Sequence, residues 1–224
     1  MSPVIIDDVH EKNIFQSTDA KTLEIYEFDN QGYMLLDEVH SSFGADDIAI
    51  KYTLLANHEH GIVIIDKVND DNSLSSIGNI RFNILGLQYC KALAGGAQVK
   101  SAYIQADYRG HNLGVTSYEL ILKHFNVVSD TVQTIEGATF WKFKMAGHPD
   151  VEVIIVNDFS DYGNIVSDEA GDAEVYETSK THLENRIWGV EGYVSETVGE
   201  YISFSYVPGK DDVVLVATKK IHAS

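Results

Sequence analysis

The chain is poor in cysteine, in positive charge and in long apolar runs, and each shortage removes a class of protein. One cysteine among 224 residues, Cys90, excludes an intrachain disulfide framework and any zinc or iron-sulfur site built from several thiolates. Such sparing use fits a reducing cytoplasm. No apolar run approaches the roughly 20 residues of a membrane-spanning helix, and residues 1–8 carry two acids where a signal peptide carries positive charge. The expectation is a protein with no membrane contact and no targeting segment. Sixteen Lys and Arg against 34 Asp and Glu leave a net charge of -18 and a pI near 4.7. That field repels phosphate backbones and argues against direct nucleic-acid binding. What is present is apolar material: 44% of residues are hydrophobic and 22% charged, enough for one sizeable core.

The first half alternates like strands at 22–28, 33–39, 48–55 and 62–68, with Asp29-Asn30-Gln31-Gly32 as a hairpin connection. Residues 68–76, rich in Asn, Asp and Ser, read as an exposed loop, and 77–93 is ambiguous between strand and helix. From residue 99 the pattern is α/β: a strand at 99–105, a helix from Asn112 carrying Leu113, Tyr118, Leu120 and Ile121, a short strand Val127-Val128, a helical stretch at 135–146 ending at Gly147-His148-Pro149, and a strand at 151–156. Residues 158–177 hold seven acids and no Lys or Arg, so they read as an exposed acidic loop. A short helix at 179–188, and strands at 201–207 and 213–218 around Pro208-Gly209-Lys210-Asp211, complete the expectation.

Chemistry concentrates at the strand-turn-helix junction Tyr103-Ile104-Gln105-Ala106-Asp107-Tyr108-Arg109-Gly110-His111-Asn112-Leu113-Gly114. A helix N-terminus offers unpaired N-H groups and partial positive charge to an anion, and Arg109 adds a full charge. Gly110 and Gly114 permit close backbone approach. Three other groupings carry less. His58-Glu59-His60 puts two histidines on one face with no third ligand nearby, so a surface pair is expected and no metal. Cys90 reads as a packed thiol. Phe140, Trp141 and Phe143 read mostly as core.

The junction resembles the turn of Gcn5-related N-acetyltransferases, whose pattern is Arg or Gln, two residues, Gly, any residue, Gly or Ala. Together with Ser129-Asp130, Gln133-Thr134 and Phe140-Trp141 it is similar to acetyltransferase-like proteins of bacteriophages. The resemblance covers about residues 98–157, and one position departs from it: Asn112 stands where the first motif glycine is expected. It implies a mixed-sheet α/β acyl-CoA N-acyltransferase fold over 1–157, in host cytoplasm for a phage-encoded chain; the regions before and after 98–157 match no family, and the residues themselves read as an acidic loop at 158–178 and a helix-and-hairpin extension at 179–224 packing on that domain. It also implies acetyl-CoA as acyl donor, held by Tyr103, Ile104, Arg109, Gly110, His111, Asn112, Leu113 and Gly114. The strand would splay from a parallel neighbour near Tyr103 and Ile104, and a backbone N-H there would stabilise the oxyanion. The acceptor is a small-molecule or protein amine. No Asp or Glu lies between 99 and 106, leaving Ser101, Tyr103 and Gln105 to orient a water, and Trp141 stands where the family often has a tyrosine proton donor. Ser129 and Tyr118 are the remaining catalytic candidates. The alternative is a catalytically silent member of the same fold, whose acidic surface binds a host or virion protein. Edge strands and the C-terminal hairpin suit a homodimer.

Overall fold

The structure is a computed structural model that describes residues 4–6, 31–180, 183, 187 and 212–220. The strands expected at 22–28 and 201–207, the turn at 208–211 and most of the helix expected at 179–188 lie outside these residues. Within that last span Leu183 and Ile187, one helical turn apart and both buried, are helical. Contacts divide the chain into two compact units, one of residues 13–85 and 97–125, the other of 1–12, 86–96 and 126–224.

The first unit is an antiparallel meander of β2 (Met34–Phe43), β3 (Ile48–Ala56), β4 (His60–Val68), β5 (Leu74–Ile84) and β6 (Ala97–Ile104), each strand paired with the next. The links from β2 through β5 are short because the turn residues suit them, whereas β5 and β6 are joined through residues 85–96. Gly44 and Asp47 take positive φ between β2 and β3, and Asn57 closes the β3–β4 link by accepting from the Glu59 and His60 N-H groups. The expected loop at 68–76 shrinks to residues 69–73, since Leu74 and Ser75 already pair with Val68 and Lys67. The ambiguous stretch 77–93 resolves into strand as far as Ile84 and turns beyond it. Bulges interrupt the ladders after Leu35, Ile65 and Arg81. At the last of these Arg81 faces Ser101 and Phe82 faces Val99, so Lys100 is the extra residue in β6.

Helix α1 (Leu113–Leu122) follows β6 and buries Leu113, Ser117, Tyr118, Leu120, Ile121 and Leu122. Burial pushes the Tyr52 hydroxyl on β3 up, while hydrogen bonds to Ser41 and Thr116 of α1 pull it down. Past the helix Phe125 packs on Phe82, ring centroids 5.8 Å apart, and Lys123 reaches Asp37 on β2 at 3.2 Å.

The second unit orders its strands as β7 (Val127–Val128), β11 (Val214–Lys219), β9 (Val151–Asn157) and β10 (Asn164–Ile165), antiparallel at every join. A separate parallel pair joins β1 (Val4–Ile6) to β8 (Val132–Thr134). Helix α2 (Ile135–Thr139) continues into a π-helical turn, Phe140–Met145, where the Ala146 N-H reaches back to the Trp141 carbonyl at 3.0 Å. Trp141 and Met145 are buried there. The C-terminal strand differs from its expectation. Val216 and Ala217 pair with β7 on one side and β9 on the other, so β11 fills the middle of a sheet instead of forming one arm of an appended hairpin.

The acidic segment is also more built than its composition implies. Residues 168, 169 and 172 are exposed, but the Val166 and Tyr176 N-H groups bond to the Ile155 and Val153 carbonyls of β9, and both side chains are buried. The segment covers the outer edge of β9. The architecture is mixed α/β, sheet with two short helices, and the order strand, helix, short strand, helix, strand expected between 99 and 157 is present with one addition, the short strand β8 ahead of the second helix.

Candidate functional site

The junction between β6 and α1 lies wholly within the first unit. Strand β6 ends at Ile104, and the next residue still holds to β5: the Gln105 N-H bonds the Ile77 carbonyl, and its side chain donates to the Ser76 carbonyl at 3.0 Å. Gly78 makes room for this end of the strand. A Cβ on it would sit 2.6 Å from the Tyr103 carbonyl oxygen. A single 3-10 turn, Ala106–Tyr108, then reverses the chain, with the Tyr108 and Arg109 N-H groups bonded to the Gln105 and Ala106 carbonyls.

Arg109 turns back on that strand end, its Nε donating to the Ile104 carbonyl at 2.9 Å. The guanidinium is exposed, and among the described residues its terminal nitrogens make no hydrogen bond. Two left-handed residues follow, Gly110 at φ 83° and Asn112 at φ 59°. Nothing lies within 4 Å of a Cβ placed on Gly110, so glycine serves the dihedral there and not the space. Asn is the side chain best able to stand in for glycine at such a dihedral, which accounts for Asn112 at the departing motif position.

The consequence is an open helix end. Asn112 precedes α1 without its side chain capping the first turn, while its carbonyl accepts from the Thr116 N-H at 3.1 Å. The first-turn N-H groups therefore lack both an intrahelical partner and the usual cap. Leu113 anchors this turn in the core, and Ser117 donates to the Leu113 carbonyl at 2.8 Å. Of the eight residues expected to hold a donor, Arg109, Gly110, His111 and Asn112 are exposed; Tyr103, Ile104 and Gly114 are half-buried; Leu113 offers only its backbone. Phe43, at the end of β2, was beyond sequence reasoning: its ring stacks on His111, centroids 4.2 Å apart and planes 22° apart, and meets the Tyr108 ring edge-on at 6.3 Å. It lies far from the junction in sequence, and no local pattern marks it.

The catalytic candidates are occupied. Ser129, fully buried in the second unit, accepts from the Leu215 N-H at 3.0 Å, points its hydroxyl at the Asp130 carbonyl at 3.3 Å, and donates its own N-H to the Leu215 carbonyl. Tyr118 is buried on α1, where desolvation pushes its phenol well above the ordinary value. His58 and Glu59 occupy the exposed link before β4 and His60 is the exposed first residue of that strand, its Nδ1 3.0 Å from Asn83 Oδ1. No metal-holding cluster of His, Cys, Asp and Glu is found among the described residues, nor any helix long and apolar enough to cross a membrane. Cys90 is half-buried beside Gly163.

Compared with family models, curated proteins and solved structures, the chain matches none.

Proposed function

We propose that the protein binds acetyl-CoA at the β6–α1 junction and transfers its acetyl group to an amine, in the manner of the Gcn5-related acetyltransferases that the junction resembles. One observation carries the reading: left-handed Gly110 and Asn112 present an uncapped helix end beside an exposed guanidinium tethered at its Nε. Charge-assisted bonds from backbone N-H groups and arginine suit a pyrophosphate. The pantetheine arm then runs along β6 past Tyr103 and Ile104. The acceptor amine, having lost a proton, attacks the thioester carbonyl. The C-N bond forms, the C-S bond breaks, and the thiolate leaves to take up a proton.

Calorimetry with acetyl-CoA and with CoA at moderate salt tests this. Micromolar binding is expected, together with its loss in the double variant Arg109→Ala, Gly114→Glu with the fold retained. No binding at millimolar ligand overturns the reading.

The hydrogen-bonded Ser129 hydroxyl and the burial of Tyr118 favour a second reading, in which the fold binds the donor or a protein partner without turnover. Tight acetyl-CoA binding with no thiol release over a panel of amines supports it, and thiol release removes it.

A further inference from the structure

We infer that the turns at 86–90 and 158–163, both in the second unit, form a docking surface for an arginine-bearing segment of a partner protein. The β6–α1 junction belongs to the other unit, and the inference stands whether or not that junction takes acetyl-CoA.

Burial does not account for the side chains gathered on these turns. Tyr89 stacks on Phe159, centroids 5.3 Å and planes 25° apart, and Tyr162 meets Tyr89 edge-on at 5.9 Å. The outermost ring, Tyr162, keeps 55% of its surface in water, and Leu87, in the turn closed by the Tyr89 N-H on the Gly86 carbonyl, keeps 85%. Single exposed apolar residues need no explanation, but these stand on two turns joined by the Cys90 N-H on the Tyr162 carbonyl at 2.9 Å. Tyr162 also holds φ at 65°, a region that bulky side chains avoid. A residue that strains its backbone and leaves its ring wet is not placed there by the core. The platform is set before any partner arrives: the Phe159 and Ser160 N-H groups bond the Asp212 carbonyl and carboxylate, and the Gly163 N-H bonds the Asp158 carbonyl. Fixed aromatic anchors lose little freedom on binding.

Charge selects the occupant. Asp158 and Asp161, both exposed, lie on the turn that carries Tyr162; no Lys or Arg occurs from 158 to 177, and Lys91 is the only cation in 86–96. An arginine guanidinium is flat, stacks on a ring and still presents N-H groups to a carboxylate, whereas the lysine ammonium is a strongly hydrated point charge. Rings beside carboxylates therefore fit arginine better than lysine.

Calorimetry on the full chain at physiological salt tests this with hexa-arginine, hexa-lysine and hexa-glutamate as probes. Hexa-arginine is expected to bind more tightly than hexa-lysine at equal charge, and hexa-glutamate not to bind. Tyr162→Gly changes no charge and relaxes the left-handed dihedral, so its melting temperature should be no lower than the parent's, while hexa-arginine weakens about fivefold for the loss of one cation-ring contact. Tyr162→Phe keeps the ring and should keep the affinity. Asp161→Asn should weaken both cationic peptides. Equal affinity for the two cationic peptides, or unchanged hexa-arginine affinity in folded Tyr162→Gly, overturns the inference and leaves only general attraction to an acidic protein. No binding to the parent overturns it as well. So does a parent that dimerises and becomes monomeric on Leu87→Ser, since the occupant is then a second copy of the chain.

Discussion

At the scale of single residues, hydrogen bonding separates packing from chemistry. The Ser129 hydroxyl substitutes for a main-chain acceptor opposite Leu215, so Ser129→Ala leaves a buried N-H unsatisfied and should cost about 1–3 kcal/mol in urea unfolding. Donor affinity should not change, and a drop in affinity without a drop in stability would return Ser129 to the site. Asp66 on β4 is buried opposite Lys51 and Ser76. Burial raises its carboxyl above the ordinary value, against the pull of the Lys51 charge and the Ser76 hydroxyl. A carboxyl that protonates more readily in the fold than in the unfolded chain costs stability when ionised. The cost is absent below 3.8, grows as pH rises from there through the raised folded value, and stays constant above it. Asp66→Asn should therefore raise the melting temperature at neutral pH, by an amount that shrinks as the pH is lowered toward 3.8. A variant less stable than its parent at neutral pH would mean that the Lys51 attraction outweighs burial.

At the scale of elements, glycines set how closely strands and rings approach. Phe82 on β5 lies across Gly61 on β4, where a Cβ would fall 2.0 Å from the ring, and the ring is itself buried against its surroundings. Gly61→Ala should destabilise the protein by about 1–3 kcal/mol, the usual cost of overpacking, read from the shift in urea midpoint. Strands and helices with a strong local period were legible in the sequence. Alternation placed β3, β4 and β9 within a few residues, and the change of period after Asn112 placed α1. The candidate site was legible only as a local turn, because Arg109, Gly110, Asn112 and Gly114 are near neighbours in sequence. Long-range contacts were not. Composition made 68–76 a loop, yet pairing with β4 draws Leu74 to Ser76 into a strand. Nothing in residues 213–218 says which strands flank them, and nothing near Phe43 says that it stacks on His111. The acidic stretch misled because charge reports solvent exposure of side chains, whereas its N-H groups at Val166 and Tyr176 complete the β9 edge.

At the scale of the whole molecule, the charge of -18 bears on how the acetyl-CoA proposed above would arrive. Arg109 attracts only at close range, and the long-range field repels. Added salt shortens the Debye length to about 8 Å at physiological strength, so it screens the repulsion that acts over a longer distance. Association of CoA followed by stopped flow should speed up from low to physiological salt, while its dissociation also quickens as the Arg109 contact weakens. An association rate that falls with salt would show a positive local field dominating capture. The central position of β11 governs a different process, the birth of the protein. Translation delivers β7 and β9 before residues 214–219, so each is made before the strand it pairs with in the finished sheet. A nascent chain halted in that interval bears two unpaired inner edges rich in valine and isoleucine, the kind of surface that recruits foreign strands. Completion of this unit waits on the ribosome.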